Sequence, residues 1–460
     1  MKKFKLPDTL VISSCILILV IILTWIIPAG EYVRQTVENR SIVVPSSYKI
    51  VESSPQNILT FFIAPVKGFT SAAEVIAFIF FIGGAFGMVN ATGAIDAGLE
   101  KLVNITLINP AYKWVIIPLL ILAFSFCGGS FGMSEEVLVF VLITIPLAQA
   151  LGYDKITGVA IPFVGAGVGF AGAFLNPFTV GVAQGIAEVE LFSGIPYRLL
   201  VWTVFSLLAI AYILWYIYRQ DVSRENSLLY SQEIEVSAEN KVREYPLTTN
   251  RILILILFLL TIFILAWGVT TQGWYITEIA GLFLGLGITS ALMGGLSPSQ
   301  TTNAFVSGAK DMMGACLIVG FCKGILIVAT EGKIIDTILF QITQTVETLP
   351  TIISVQAMFW FQAILNFFVP SGSGQAALTM PIMAPLSDLL GISRQTAVLA
   401  FQMGDGLNNL IIPTSGVTMG VLSIAKIPYE IWLRWIFPLM IALFSAAMFF
   451  LFLAVQTGWS

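Results

Sequence analysis

The sequence predicts an all-α polytopic membrane protein. It consists of one leading helix and an inverted-topology repeat of about five spans per half, with two re-entrant hairpins and two broken helices. Three observations support this prediction: apolar blocks of membrane-spanning length, one constant offset between repeated Gly and Pro positions, and paired polar interruptions inside apolar sequence. Such a chain is expected to move a small solute across a membrane by alternating access.

The composition suits a chain whose main solvent is lipid. Of its 460 residues, 57% are hydrophobic and 10% are charged, and the mean hydropathy is +0.92. An ordinary soluble domain carries roughly 25% charged residues. Histidine is absent, which excludes metal sites, general bases and proton relays built on that residue. No basic run indicates nucleic acid, so the expected partners are the bilayer and a small-molecule substrate, with no cofactor.

Apolar segments follow one another along the whole chain, and a span needs about 20 apolar residues. They lie near 10–28, 74–92, 113–127, 156–175, 198–218, 251–268, 274–294, 312–329, 350–368, 394–411 and 431–455, with shorter pieces at 134–151 and 373–390. The predicted parts are a leading helix at 1–30, an external polar loop at 31–57, a first repeat at 58–218, a linker at 219–250 and a second repeat at 251–460. The predicted hairpins lie near 128–151 and 370–390.

Basic residues near the span ends predict the orientation. Lys2, Lys3 and Lys5 precede the first apolar run, and the linker at 219–250 carries several more Lys and Arg residues. Positively charged flanks stay on the cytoplasmic side. We therefore expect a multi-pass protein of a bacterial inner membrane with a cytoplasmic N-terminus and linker. Cleavage of 1–30 as a signal peptide is disfavoured, because its apolar run is long enough to span.

An offset of 239 residues relates the two halves. Residues 146–152 read PLAQALG and residues 385–391 read PLSDLLG. The same offset joins further identical pairs: Gly93 and Gly332, Thr157 and Thr396, Val159 and Val398, Gly165 and Gly404, and Gly167 and Gly406. A sustained register of this kind predicts a duplication. Five crossings per half would place the two copies in opposite orientations, which is the architecture of many secondary transporters.

Two Gly- and Ser-rich segments, 127–136 and 369–375, break the pattern of a membrane helix. Irregular backbone at membrane depth persists only where protein buries it or where it lines a wet cavity. A helix that starts at such a tip offers free N–H groups to an anion. We interpret both segments as tips of re-entrant hairpins. The alternative is a surface of small residues that packs neighbouring spans.

A second pair of polar breaks follows the hairpins, at 172–179 and at 404–416. Each places Asn shortly before Pro, and Pro frees a helix carbonyl. Four broken elements could enclose one site. The predicted substrate contacts are Ser134, Glu135, Glu136, Asn176, Thr179, Ser371, Gly372, Ser373, Gly374, Gln375, Asp405, Asn408, Asn409, Thr414 and Ser415. A coupling Na⁺ could be coordinated near Ser134, Asn176, Ser373 and Asp405; no other metal site is expected.

Carboxylates at membrane depth are costly and therefore point to function. Glu135 and Glu136 lie at the first tip, and Asp405 lies in the second break. They could bind a cationic substrate, coordinate Na⁺ or carry H⁺. The alternative for a glutamate is that it stabilises the helix dipole at the N-terminus. Lys323 has Gly84 at the repeat offset; it could pair with an acid or extend to the interface.

The segments 370–377, 404–406 and 412–416 resemble the YfcC branch of the DcuC-type anaerobic carriers, and so do Leu23–Glu31 and Gly132–Glu136. The resemblance covers nearly the whole chain. It implies an ion-transporter-superfamily fold with two hairpins and two broken helices, similar to dicarboxylate/sodium symporters and p-aminobenzoyl-glutamate transporters. By analogy with such relatives it also implies a homodimer.

The resemblance also bears on the substrate. The symporters carry Ser-Asn-Thr at their hairpin tips, whereas the tips here look like Ser134-Glu135-Glu136 and Ser371-Gly372-Ser373. Carriers of the YfcC branch are described as transporters of basic amino acids, including arginine/ornithine exchangers. The acidic first tip favours such a substrate over a C4-dicarboxylate or a short-chain carboxylate. Symport or exchange and Na⁺ or H⁺ stay open. A channel or an intramembrane enzyme is disfavoured, since no catalytic set accompanies the paired hairpins.

Overall fold

The computed structural model describes residues 9–37, 40–44, 47–98, 101, 112–223, 225, 227–229, 246–346 and 349–459. Lys2, Lys3 and Lys5, on which the predicted orientation rests, lie outside the described residues, and so does most of the predicted linker at 219–250. The described chain is predominantly α-helical, as the sequence predicts.

The first half contains eight described helices, the sixth and seventh of which flank a break. They are α1 (Thr9–Ile26), α2 (Ile58–Ser71), α3 (Ala73–Ala91), α4 (Lys113–Phe131), α5 (Val137–Ala150), α6 (Lys155–Ala171), α7 (Val182–Ile186) and α8 (Ile195–Val222). Helix α6 includes a π-helical turn at Ala160–Val164, and another at Pro177–Gly181 leads into α7.

The second half contains ten described helices. They are α9 (Thr249–Gln272), α10 (Ile276–Met293), α11 (Pro298–Asp311), α12 (Met313–Glu331), α13 (Ile335–Val346), α14 (Thr351–Phe368), α15 (Gly372–Leu389), α16 (Arg394–Asn408), α17 (Gly416–Ala425) and α18 (Tyr429–Thr457). Among all described helices, seven are long and apolar enough to cross a membrane: α3, α4, α8, α10, α12, α14 and α18.

The predicted polar loop at 31–57 contains most of the β-structure among the described residues. Strand β1 (Gly30–Glu31) pairs antiparallel with β4 (Lys49–Ile50), and β2 (Arg34–Val37) pairs with β3 (Arg40–Val43). The Tyr32 N–H donates to Asp336 Oδ2 at 2.9 Å, which attaches this segment to α13. The strands thus lie beside the second half of the molecule.

Helices α4 and α5 form the first hairpin. Lys113 begins α4 and Tyr153 follows α5, and both contact Asp221 at the end of α8. The Lys113 Nζ lies 2.8 Å from Asp221 Oδ2, and the Tyr153 hydroxyl lies 3.2 Å from Asp221 Oδ1. The start of α4 and the end of α5 therefore lie together, and their connection at 132–136 lies at the far end.

Helices α14 and α15 form the second hairpin in the same way. The Thr351 hydroxyl at the start of α14 donates to the Leu390 carbonyl just after α15, at 3.1 Å. Five residues further on, Gln395 accepts from Arg198 Nη2 at 3.1 Å, near the start of α8. Helix α8 has 28 residues and is therefore roughly 42 Å long. The bases of the two hairpins thus lie at opposite ends of α8.

The offset of 239 residues extends from single residues to whole helices. Displaced by this offset, α3 coincides with α12, α4 with α14 and α5 with α15, within a few residues. Both hairpins are followed by a glycine with positive φ, Gly152 at +88° and Gly391 at +67°, a backbone region that favours glycine. Displaced by the same offset, the leading helix α1 coincides with α9. The counterpart of α10 in the first half is the segment that contains the β-strands.

Two helices that the span analysis did not predict, α2 and α11, pack across the halves: α2 against α12, and α11 against α3. The contacts are made by glycines. A Cβ at Gly68 would lie 2.0 Å from the Gly320 carbonyl oxygen, and a Cβ at Gly308 would lie 2.1 Å from the Gly83 carbonyl oxygen. Small residues allow this close approach of backbones, as in many membrane proteins.

Candidate functional site

The first hairpin tip turns at a glycine and presents two carboxylates. Helix α4 ends at Gly132, whose φ of +76° is the left-handed conformation common at helix ends. The Ser134 N–H then donates to Glu136 Oε2 at 3.0 Å. One Glu136 oxygen therefore stabilises the turn, while the neighbouring Glu135 lies half-buried. This tip is acidic and partly closed by its own side chain.

The second hairpin tip is neutral and its helix begins without a side-chain cap. The Ser371 N–H donates to the Val369 carbonyl at 2.8 Å, and the Ser371 carbonyl accepts from Gln375 N–H at 2.7 Å. The Ser371 side chain makes no capping hydrogen bond. The first N–H groups of α15 therefore point out of the helix start without a partner from that side chain, which suits them to a bound anion.

The two broken helices lie directly behind the tips. After α6, the Leu175 N–H donates to the Gly129 carbonyl at 3.1 Å, and Asn176 Oδ1 accepts from the Phe178 N–H at 2.9 Å. A Cβ at Gly132 would come within 2.6 Å of Asn176 Oδ1. In the second break, Ser415 Oγ accepts from the Thr418 N–H at 3.4 Å and starts α17.

A fully buried polar cluster surrounds Asp405 behind the second tip. Asn366 Nδ2 donates to Asp405 Oδ1 at 2.7 Å, and Gln375 Nε2 donates to Gln362 Oε1 at 2.8 Å. Within this cluster, three buried oxygens lack a partner among the described residues: Asp405 Oδ2, Asn366 Oδ1 and Thr179 Oγ1. A Cβ at Gly372 would lie 3.2 Å from Asp405 Oδ2 and 2.4 Å from Thr179 Cγ2. Unpaired buried oxygens are costly, and this set could hold a proton or a small cation.

A cavity of about 350 Å³ lies between the two tips. Ten of the residues predicted from the sequence line it: Ser134, Glu135, Glu136, Thr179, Ser371, Gly372, Ser373, Asn409, Thr414 and Ser415. Hairpin tips and broken helices that are far apart along the chain thus converge on one space. Its volume falls within the usual range for a small-molecule site.

The five other predicted residues do not line this cavity. Asn176 packs against Gly132 of the first tip, and Asp405 and Gln375 belong to the buried cluster. Asn408 Nδ2 donates to the Ala363 carbonyl at 2.5 Å and so joins α16 to α14. Gly374 faces a neighbouring cavity instead. These residues therefore hold the backbone around the cavity rather than forming its surface.

The cavity also contains residues that sequence reasoning missed or left without a role. Trp274 and Tyr275, in the connection between α9 and α10, form an aromatic wall, and Ser71 lies at the junction of α2 and α3. Lys323 of α12 lines the cavity as well. It shares this lining with Glu135 and Glu136, although no direct ion pair joins it to either glutamate. The polar Ser71 at a helix junction was a signal that could have identified that contact.

A second cavity, of about 470 Å³, adjoins the first and shares Leu326 and Ser373 with it. Two ion pairs line it: Arg34 with Asp336 at 2.7 Å, and Lys333 with Glu31 at 3.2 Å. Its charged groups are therefore already paired, in contrast to those of the first cavity.

Comparison with known proteins places these features in a family context. Residues 6–456 match the family model described as "DcuC: C4-dicarboxylate anaerobic carrier". The candidate basic amino acid antiporter YfcC of Escherichia coli (strain K12) is 35% identical over 94% of this chain and 93% of its own. An uncharacterised protein of Haemophilus influenzae is 31% identical over 95% of this chain and 94% of its own.

Two solved structures are more distantly similar. The YdaH transporter of Alcanivorax borkumensis has 16% sequence identity and a TM-score of 0.44, with 98% of this chain and 99% of that chain covered. MtrF of Neisseria gonorrhoeae, described with a class of antimetabolite efflux pumps, has 15% identity and a TM-score of 0.41, with 97% and 95% covered.

Proposed function

The chain belongs to the DcuC family of carriers, and from that premise we propose that it exchanges basic amino acids across the membrane by alternating access. As a member of this family it is a transporter and not an enzyme. Exchange of basic amino acids is the activity named for its relative in Escherichia coli. For this chain, the charge of the cavity supports it.

The observation that carries this proposal is the set of charged side chains around the cavity. Glu135 and Glu136 contribute two carboxylates and Lys323 one ammonium group, so that with all three ionised the lining has one excess negative charge. Arginine or ornithine carries one excess positive charge and would make the occupied cavity neutral. A C4-dicarboxylate would instead add two negative charges. Charges removed from water are tolerated only when they are paired.

The arrangement also suits the two ends of an amino acid. The first tip offers carboxylates that can accept hydrogen bonds from a guanidinium or an ammonium group, which are strong when both partners are charged. The second tip offers the uncapped start of α15 to a carboxylate. Trp274 and Tyr275 could face the cationic end through their rings. We propose that the substrate lies across the cavity with its cation toward the first tip.

Alternating access would rest on an inverted repeat. The offset of 239 residues between helices and the position of the hairpin bases at opposite ends of α8 support two copies in opposite orientations. In this proposal the protein lies in a bacterial inner membrane with its N-terminus and linker in the cytoplasm. The first hairpin then enters from the cytoplasmic side and the second from outside. Assembly as a homodimer stays a prediction.

Strict exchange needs no coupling ion, but the buried cluster offers a place for one. Asp405 Oδ2, Asn366 Oδ1 and Thr179 Oγ1 are oxygens of the kind that hold Na⁺ or, in the case of Asp405, H⁺. The predicted Na⁺ region near Ser134, Asn176, Ser373 and Asp405 overlaps this cluster in part. Ion-coupled uptake of the same substrate would therefore use Asp405.

The second candidate is transport of a C4-dicarboxylate, the substrate named in the family description. Two features favour it: the ammonium group of Lys323 and the uncapped start of α15 are both suited to carboxylates. It would require Glu135 and Glu136 to be protonated or shielded when the substrate binds.

Counterflow in proteoliposomes distinguishes the two candidates. Vesicles loaded with unlabelled arginine should accumulate labelled arginine or ornithine, and succinate should not compete. Citrulline, which has the shape of arginine without its positive charge, is the matched control and should compete poorly. The proposal is wrong if arginine and ornithine neither move nor compete while succinate does. Repeating the assay with and without Na⁺ tests for a coupling ion.

A further inference from the structure

Lys323 is a charged residue within a helix that is otherwise suited to lipid and protein surroundings. It lies near the middle of α12, a candidate membrane span, and is half-buried. Gly84 occupies the corresponding position of α3, so the shared scaffold of the two halves does not require a side chain here. A charge at this depth is costly, which indicates that Lys323 serves something other than helix packing.

The ammonium group of Lys323 has donors to spare. Such a group has three N–H donors and no acceptor, and no hydrogen bond or ion pair joins it to any residue that the structure describes. Yet it lines the cavity together with Glu135, Ser371 and Ser373. A charge that is partly removed from water gains from hydrogen-bonding partners, and the cavity is where an additional partner can enter.

The acids and this base come from different halves. Glu135 and Glu136 belong to the first tip, whereas Lys323 and the uncapped start of α15 belong to the second half. The second half thus contributes the groups that attract an anion, and the first half contributes the groups that attract a cation. A molecule with a cationic end and a carboxylate end would match both halves at once.

We propose that Lys323 binds the carboxylate of the transported amino acid and thereby excludes the amines that remain after decarboxylation. This inference rests on the proposed exchange of basic amino acids and adds the specificity-determining contact. Agmatine is arginine without its carboxylate. It would meet the Lys323 ammonium with no carboxylate to pair with it. Removal of the ammonium should therefore weaken arginine binding and relieve the exclusion of agmatine.

The simpler role for Lys323 is that of a counter-charge for Glu135 and Glu136. In that case its loss would raise the repulsion between the glutamates and alter the binding of every cationic ligand in the same direction. The proposed role predicts opposite changes for arginine and agmatine. The ratio of the two affinities therefore separates specificity from a general electrostatic or structural effect.

The experiment compares binding and counterflow of arginine and agmatine in the full-length protein and in Lys323→Met and Lys323→Gln. In the unchanged protein arginine should bind at least about tenfold more tightly than agmatine, because a hydrogen bond between charged groups is worth about 1.5–3 kcal/mol. Both variants should lose that preference or reverse it. Lys323→Arg, which keeps the charge, should retain it.

Lys67→Met is the matched control. Lys67 of α2 is exposed and does not line the cavity. It pairs at 2.6 Å with Glu331, which lies at the end of α12, the helix that contains Lys323. Its replacement should leave the ratio unchanged.

Three results would overturn the inference. If the unchanged protein prefers arginine and both neutral variants keep the same ratio, Lys323 does not bind the carboxylate, although the proposed function stands. If both variants lose their fold, as judged by size-exclusion chromatography and thermal unfolding, Lys323 is a structural counter-charge. If the unchanged protein binds succinate and not arginine, the proposed function fails and takes this inference with it.

Discussion

The two hairpins have the same backbone plan and opposite chemical character. In each hairpin the start of the first helix lies beside the end of the second, and a glycine with positive φ follows. The first tip carries Glu135 and Glu136, whereas the positions 239 residues later are Gly374 and Gln375. Neither tip starts a helix with a side-chain cap, but at the first tip the Val137 and Leu138 N–H groups donate to the Ser134 and Glu135 carbonyls. Two hairpins of similar backbone thus present different chemical groups to one cavity.

The residues behind the tips differ as well. At the first tip the neutral amide of Asn176 packs against Gly132, whereas the buried Asp405 lies behind the second tip. The position equivalent to Asp405 in the first half is Ala166. The carboxylates therefore occupy different positions in the two halves. At the first tip they line the cavity, and at the second the carboxylate is buried behind the backbone. The first half thus contributes carboxylates to the cavity surface, and the second half contributes one to the buried cluster.

The largest expected effect is an all-or-none difference in access to the hairpin bases. Tyr112→Cys near the first base and Asp388→Cys near the second should react with a membrane-impermeant maleimide from opposite sides of the membrane. In intact cells, only Asp388→Cys should be labelled. Disrupted cells should label both. The parent protein with its four cysteines is the control. Labelling of both positions from one side would contradict the inverted arrangement.

The next effect concerns the acidic tip itself. Glu135→Gln should weaken arginine binding roughly ten- to hundredfold, since it removes a charge-assisted contact of about 1.5–3 kcal/mol. Ser373→Ala at the neutral tip should cost less than about tenfold, because a neutral hydrogen bond is worth about 0.5–1.5 kcal/mol. Isothermal titration with arginine measures both. Equal losses in the two variants would mean that the tips do not differ in the way proposed.

A more selective change is expected behind the second tip. Asp405→Asn keeps an oxygen for the Asn366 donor but loses the negative charge. Arginine affinity should stay within about threefold, since Asp405 lies outside the cavity and acts on it only through neighbours. Any dependence of transport on Na⁺ or on pH should disappear. Counterflow at two pH values, with and without Na⁺, measures this.

The control for that change is Asp388→Asn. Asp388 is an exposed acid in the same half that pairs with Arg394 at 2.8 Å. It should leave ion dependence intact. If Asp405→Asn behaves like this control, the buried cluster has no part in coupling.

The smallest effect concerns the first hairpin base. Lys113→Ala removes the ion pair with Asp221, whose side chains are 20% and 30% exposed, and should lower stability by about 1 kcal/mol. Lys67→Ala breaks a more exposed pair and should have almost no effect. Thermal unfolding in detergent measures both. A loss from Lys67→Ala as large as that from Lys113→Ala would show that the base is not specially held.

Much of the architecture was accessible from the sequence because it depends on local composition. The matches to the family and its relatives confirm the resemblance noted from the motifs, and they confirm a carrier rather than an enzyme. The apolar runs identified the long helices. Helices α2 and α11 were missed because each has only 14 residues, and α11 is too polar to stand out as a span. The strands at 30–50 gave no apolar signal either.

The site was predictable in its residue types and less so in its geometry. Glycine, serine and carboxylate in apolar surroundings identified both tips, since such residues are costly without a role. Which side of α16 Asp405 or Asn408 occupies depends on the rotation of that helix about its axis, and this rotation is set by its packing against α14 and α15. Trp274 and Tyr275 reach the cavity through tertiary packing, which no local pattern encodes.

The glycine contacts between α2 and α12 and between α3 and α11 have a mechanical consequence. Where the backbones of two helices are in direct contact, no side chains lie between them whose rotamers could adjust as the helices slide. Each of these helix pairs should therefore move as one rigid body. A carrier that opens alternately to two sides must then place its moving joints elsewhere. The parts left to move are the hairpins and the broken helices, which contact these rigid helix pairs around the cavity. The substrate would then bind where the moving and the rigid parts meet.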